Sequence, residues 1–85
     1  MEFEIIPLAL RKIAQRHIPV DWVEQTLNFP DQLVEGYEGR QVAQKVYNIG
    51  DKKMLMRVVF EPAGSRRVVV TAYLTSQIEK YRRKA

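Results

Sequence analysis

The sequence predicts an α+β domain in which two N-terminal helices pack on a three- to four-stranded antiparallel sheet, with a short helix at the C-terminal end. Apolar residues recur at helical spacing in the first third of the chain, and strand-like alternation follows it. Short turn motifs separate the strand-like segments, which indicates hairpins of antiparallel strands. The chain has 85 residues, which is enough for one domain spanning residues 1–85.

Two amphipathic helices are predicted before the sheet. Pro7 suits the first turn of a helix, where a backbone N–H is not needed, and the helical spacing continues through residues 7–17. Pro19 can open the second helix, and Pro30 ends it because the residue before a proline avoids the α region. Trp22 in this second helix is interpreted as a core anchor that packs the helix onto the sheet.

Strand-like segments and one further helix fill the rest of the chain. Arg57 interrupts an otherwise apolar strand and lies on the face opposite to its methionines. Ser76 and Glu79 match a capping box and predict a helix over about residues 76–83. The predicted strands are Leu33–Glu35, Arg40–Ile49, Lys53–Glu61 and Arg66–Leu74.

Composition excludes several kinds of chemistry. The chain has no cysteine, so disulfides, zinc–cysteine sites and thiol catalysis are excluded. The single histidine, His17, cannot build a metal cluster, and its place at a helix end favours a packed or capping role. No phosphate-binding or hydrolase motif is present, and no signal peptide or membrane span is recognised. We therefore expect a cytoplasmic protein with no metal, no cofactor and no membrane association.

Positive charge is concentrated at the C-terminal end. The formal net charge is +4, and residues 61–85 carry six Lys or Arg against two Asp or Glu. Such an end favours a polyanion or an acidic protein partner, and a solubilising tail is the simpler interpretation. The nucleic-acid-binding candidates from this end are Arg66, Arg67, Lys80, Arg82 and Arg83, and Arg11 on the first predicted helix is a further candidate.

Cations and hydroxyls on the strands form a candidate site for RNA cleavage. With loops of about three residues, Lys45, Arg57 and Thr71 would lie in a row across the sheet. RNA cleavage through the 2′-hydroxyl needs a proton acceptor, positive charge on the phosphorus and a proton donor for the leaving oxygen. The candidate catalytic residues are Lys45, Arg57 and Tyr73. The alternative is an ordinary solvated face of the sheet.

Several segments resemble the DUF4258 family over nearly the whole chain. The stretch LALRKIAQRHIPVDWV at residues 8–23 and the LNFPD at residues 27–31 resemble its opening. The later segments QKVY, LMRVV and VVTAY resemble its strands, with Lys45, Arg57 and Tyr73 among them. The order and spacing of these segments carry the resemblance together.

The resemblance implies a relationship to RelE/ParE-like toxins. It implies a role in a type II toxin–antitoxin pair, with RNA cleavage as the usual activity and a cognate antitoxin as partner. It adds Arg16 as a candidate phosphate contact, although a salt bridge from helix to sheet is an equal alternative. Where the family usually has histidine, this chain has Leu8, which cannot transfer a proton.

Two other functions remain open beside the toxin ribonuclease. A non-catalytic basic module of the same fold would bind an antitoxin or nucleic acid, and Leu8 favours it. An inhibitor of a protein target such as gyrase rests on analogy of fold alone. Formation of a homo-oligomer is also left open.

Overall fold

A five-stranded sheet with two helices on one face forms the core of the protein. The computed structural model describes residues 2–82. The helices are α1 (Pro7–Gln15), α2 (Val20–Asn28) and the short α3 (Ile78–Tyr81), and a 3-10 turn spans Tyr37–Gly39. The strands are β1 (Phe3–Ile5), β2 (Gln32–Glu35), β3 (Gln41–Ile49), β4 (Lys52–Ala63) and β5 (Arg66–Thr75).

The strands are arranged in the order β1-β5-β4-β3-β2. Strands β2 to β5 pair antiparallel in chain order, whereas β1 pairs parallel with β5. A two-residue turn at Gly50 and Asp51 joins β3 to β4, and Gly50 has a φ of 60°, which glycine adopts at little cost. A bulge interrupts the pairing of β4 with β5 between Val59 and Phe60.

The apolar core lies between the sheet and helices α1 and α2. The helices bury Ile13 and Val23 against Met56 and Val58 of the central strand β4. Trp22 is partly buried and stacks on Tyr47, with ring centroids 4.5 Å apart, so it packs against the core as the sequence predicted. Because the helices cover only this face, the other face of the sheet is free to carry a site.

Helix α1 ends in a Schellman motif at His17. The N–H of His17 donates to the carbonyl of Ala14 at 3.1 Å, and the N–H of Ile18 donates to that of Ile13 at 3.0 Å. His17 has a left-handed backbone with a φ of 57°, the position that glycine usually occupies in this motif. Its side chain is exposed, so His17 caps the helix through its backbone and is not a packed side chain.

Two features differ from the predicted fold. The sheet has a fifth strand, β1, because Phe3 and Ile5 are too short a pattern to reveal a strand that pairs only with the distant β5. Helix α3 begins at Ile78, and the predicted capping box is wrong because its N-cap is Gln77, with no side-chain cap bond. The Thr75 hydroxyl instead accepts the N–H of Gln77 at 3.1 Å.

Candidate functional site

A groove of about 550 Å³ lies on the face of the sheet opposite helices α1 and α2. Its lining comes from strands β2 to β5, from the segment around the 3-10 turn and from helix α3. The volume falls within the range of about 300–1,000 Å³ that is typical of ligand sites. Its polar and aromatic lining residues include Tyr37, Arg40, Arg57, Thr71, Tyr73 and Tyr81.

A row of polar side chains crosses the sheet at the groove. Gln44, Arg57 and Tyr73 occupy directly paired positions on β3, β4 and β5. Nε of Arg57 donates to Oε1 of Gln44 at 2.7 Å, and Nη1 of Arg57 donates to the hydroxyl of Tyr73. Gln44 is fully buried, so its amide is a fixed anchor for the guanidinium. We name this set the polar row.

Helix α3 contacts the polar row through its last residue, Tyr81. Nε2 of Gln44 donates to the backbone carbonyl of Tyr81 at 3.2 Å. The ring of Tyr81 lies over the guanidinium of Arg57, with its centroid 4.1 Å from Cζ, which is a favourable cation–π distance. Among residues 2–82, these contacts leave Nη2 of Arg57 without a hydrogen-bond partner. This N–H group is therefore available to an anion that enters the groove.

The contact between Arg57 and Tyr73 leaves the proton of the tyrosine hydroxyl available for donation. The hydroxyl of Tyr73 accepts a hydrogen bond from a cation, so its own proton is not used in that bond. A positive neighbour that accepts no proton makes the tyrosine a donor toward the groove. Arg57 and Tyr73 together can bind a phosphate group and donate a proton to one of its oxygens.

Arg16 lies at the edge of β5 beside the groove. Its Nη1 donates to the carbonyl of Ala72 at 2.9 Å and to the hydroxyl of Thr71 at 3.4 Å. Thr71 lines the groove and pairs with Val59, not with Arg57. Arg16 thus connects the end of helix α1 to the sheet, and its exposed side chain adds positive charge near the rim.

Lys45 does not join Arg57. It pairs with Met56 on the face that the helices cover, and its Nζ donates to the carbonyl of Phe29 at 2.9 Å. The predicted row of Lys45, Arg57 and Thr71 is therefore wrong. The two-residue turn between β3 and β4 shifts the register by one position from that of a three-residue loop, and a shift of one residue reverses the face.

Arg67 is buried on the helix side of the sheet, away from the groove. Its Nη1 donates to the carbonyl of Leu27, and its Nη2 donates to Oδ1 of Asn28 at 3.0 Å. Burial lowers the pKa of its guanidinium below the ordinary value. The structure thus makes Arg67 a cap for the C-terminal end of α2. The expected contact of Arg67 with nucleic acid does not fit this burial.

The other cations chosen from the sequence are dispersed. Arg66 forms an ion pair with Glu4 at the β1 edge. Arg11 is exposed on α1, and Lys80 and Arg82 are exposed at or after α3. Arg83 lies outside the described residues. The structure brings Arg57 and Tyr73 together, with Arg16 near them, and it does not form one continuous basic patch from the remaining candidates.

The 3-10 turn contributes two groove residues that the sequence did not single out. Tyr37 is 86% exposed, and Arg40 lies beside it with its Nε 3.3 Å from Oε1 of Glu61. The sequence also gave no reason to choose Gln44 or Tyr81, since neither is part of a recognisable motif. The exposed aromatic residue between two glycines was the one pattern that could have indicated Tyr37.

Within residues 2–82, no group of three or more His, Asp or Glu side chains is placed to hold a metal ion. In the same residues, no helix is long and apolar enough to cross a membrane. The candidate groups for binding and proton transfer in the groove are its arginines and tyrosines.

The fold and the groove define a small α+β domain with a fixed arginine on the open face of its sheet. Residues 9–74 match the family described as "Domain of unknown function (DUF4258)", which covers most of the chain. The chain therefore belongs to the DUF4258 family, as its sequence motifs indicated. No curated protein and no solved structure matches it.

Proposed function

We propose that the protein is the toxin of a type II toxin–antitoxin pair and that it cleaves RNA in the groove without a metal ion. The observation that carries this proposal is the pairing of Arg57 with Tyr73, in which a fixed cation lies beside a hydroxyl whose proton is free. An arginine suits a phosphodiester because its planar fork binds two oxygens at once.

The proposed reaction is attack of the RNA 2′-oxygen on the adjacent phosphorus. The bond from phosphorus to the 5′-oxygen breaks, and a 2′,3′-cyclic phosphate and a 5′-hydroxyl result. Arg57 stabilises the charge on the phosphorus oxygens, and Tyr73 donates its proton to the leaving 5′-oxygen. The proton of the 2′-hydroxyl passes to solvent water in the groove, since the strand register places Glu35 on the face of Gln41 and Phe60, opposite to Arg57.

The toxin role rests on the link to RelE/ParE-like toxins that the resemblance to DUF4258 implies, and the net charge of +4, which suits an acidic antitoxin, supports it. Expression of the protein should arrest bacterial growth, and co-expression of an acidic protein encoded by a neighbouring gene should restore it. Growth that continues at normal rate during expression of folded protein would contradict the toxin role.

A second candidate is a non-catalytic module that binds RNA or an antitoxin through the same groove. Two observations favour it. Leu8 replaces the histidine that the resemblance leads us to expect. Lys45, one of the three candidate catalytic residues, points away from Arg57 and is engaged by the carbonyl of Phe29. Binding that weakens steeply with salt, without turnover, would select this function.

Cleavage of a mixed RNA pool by purified protein tests the enzymatic proposal. We expect cleavage to persist in EDTA and to yield cyclic phosphate ends. Arg57→Ala should reduce the rate about 100- to 1,000-fold, because one electrostatic contact to the transition state is lost. Arg57→Lys keeps the positive charge but lacks the planar fork of the guanidinium. Its cleavage rate should lie between those of the unaltered protein and Arg57→Ala.

Matched variants separate the site from general charge effects. Lys52→Ala also removes one positive charge, at an exposed position at the β3–β4 turn, and should cleave like the unaltered protein. Tyr73→Phe removes only the hydroxyl and should slow cleavage. Equal rates for Arg57→Ala and Lys52→Ala would refute the assignment of the site.

A further inference from the structure

We infer that Tyr37 is a stacking platform for an unpaired base, so that the ligand of the groove is single-stranded RNA. This inference rests on the proposed function and specifies its substrate class. Tyr37 lines the groove that contains Arg57, and its side chain is 86% exposed. A ring this exposed adds little to the apolar core, so it can contact a ligand without disturbing the fold.

The turn that carries Tyr37 is fixed. The N–H of Gly36 donates to the carbonyl of Arg40 at 2.9 Å, and the N–H of Arg40 donates to the carbonyl of Tyr37 at 2.9 Å. Glu38 adopts a left-handed backbone with a φ of 55°, which is uncommon for a residue other than glycine. These two bonds close the turn on both sides of Tyr37, so the position of its backbone is defined before any ligand binds.

Close packing restricts the turn further at Gly36. A Cβ at this glycine would lie 3.2 Å from Cγ2 of Val42, so the valine side chain would have to shift by a few tenths of an ångström. The turn is thus in close contact with β3, and this contact and the two hydrogen bonds hold Tyr37 at the groove. Preorganisation of this kind lowers the entropy lost when a ligand becomes ordered on the ring.

The groove combines the two features that single-stranded nucleic acid requires. Arg57 supplies positive charge for the backbone and Tyr37 supplies a ring, whereas the charge of Arg40 is offset by Glu61 at 3.3 Å. Tyr81 is already used, since its face covers the guanidinium of Arg57. Tyr37 has no stacked ring or cation partner among residues 2–82, so its ring is available to a base. Bases within a duplex are stacked on one another and are not available to such a ring.

Fluorescence anisotropy with a labelled oligonucleotide tests the inference. The probe is a 2′-O-methyl RNA strand, which binds but cannot be cleaved through its 2′-oxygen. Tyr37→Ala should weaken binding roughly 5- to 150-fold, as expected when one base loses its aromatic partner. Tyr37→Phe keeps the ring and should bind within about twofold of the unaltered protein. The same strand annealed to its complement should bind the unaltered protein more weakly.

Phe29→Ala is the matched control, because Phe29 is also an exposed aromatic residue, at 72%, but does not line the groove. It should bind RNA normally, and circular dichroism should confirm that all variants are folded. If Tyr37→Ala binds as tightly as Phe29→Ala while Arg57→Ala binds weakly, the stacking inference is refuted and the proposed function stands. If the unaltered protein binds no RNA, both are refuted.

Discussion

Replacing Gln44 by leucine tests whether the polar row determines both stability and binding. Gln44 is fully buried, and its amide contacts Arg57 on one side and the backbone of Tyr81 on the other. Leucine has a similar size but can neither accept the N–H of Arg57 nor donate to the carbonyl of Tyr81. Gln44→Leu should therefore destabilise the fold and release helix α3 from the sheet.

The expected magnitude follows from the hydrogen bonds of Gln44 with Arg57 and Tyr81, which are shorter than its third, from Nε2 to Oε1 of Gln32 at 3.4 Å. A bond to a charged group contributes about 1.5–3 kcal/mol and a neutral one about 0.5–1.5 kcal/mol. The buried apolar surface of leucine offsets part of this loss, so we expect the free energy of unfolding to fall by about 1–3 kcal/mol. In a domain of this size, that corresponds to a midpoint of thermal unfolding lowered by roughly 5–20 °C.

Urea denaturation of four proteins measures the contribution of the row. Besides the unaltered chain, these are Gln44→Leu, Arg57→Met and the double variant. Because Gln44 and Arg57 contact each other, their effects should not add, and the coupling energy should exceed about 0.5 kcal/mol. Gln41→Leu makes the same substitution in the same strand at a partly exposed position, and should change stability by less than about 0.5 kcal/mol.

The Gln44→Leu variant should also bind RNA more weakly. Arg57 would lose the anchor that orients its fork, so RNA affinity should fall even at temperatures where the variant is fully folded. A variant that unfolds at the same urea concentration as the unaltered protein would refute the role of the row in stability. Normal RNA binding by a folded but destabilised variant would refute its role in orienting Arg57.

Two further substitutions test other parts of the structure. His17→Gly should raise the free energy of unfolding by about 0.5–1 kcal/mol, because glycine adopts the left-handed backbone at this helix end with less strain. A lower urea midpoint for this variant would contradict the assignment of the motif. Arg67→Ala should lower stability by about 1.5–3 kcal/mol, since it removes the bonds to Leu27 and Asn28. Its RNA affinity, measured by anisotropy, should stay within twofold, and a large loss of affinity at unchanged stability would restore Arg67 as a contact for nucleic acid.

The sequence predicted most of the secondary structure because its local patterns were strong. Pro7 and Pro30 limited the two helices, and alternation in β4 correctly separated the methionine face from the face of Arg57. Strand β1 was not predicted, because its three residues gain their stability from pairing with a strand more than sixty residues away in the sequence. Local patterns carry no information about such a partner.

The candidate site was predicted only in part, because local patterns do not reveal how the strands pair. Arg57 and Tyr73 were chosen because a cation and a hydroxyl interrupt apolar strands, and both lie in the groove. Lys45 was chosen by the same rule, but its face depended on a turn length that the sequence left open. Gln44 takes the place next to Arg57, and a glutamine within a strand gives no indication of its own that it is buried.

The bulge between β4 and β5 explains how one strand serves both the core and the groove. Before it, Arg67 and Val69 face the helices; an uninterrupted strand would also turn Tyr73 toward them and Ala72 toward the groove. The extra residue reverses this alternation, so Ala72 enters the core and Tyr73 meets Arg57. The sequence reflects this change of alternation. Three valines at residues 68–70 are followed by alternating polar and apolar residues. The bulge is therefore a condition for the candidate site, because without it Arg57 would lie opposite an alanine.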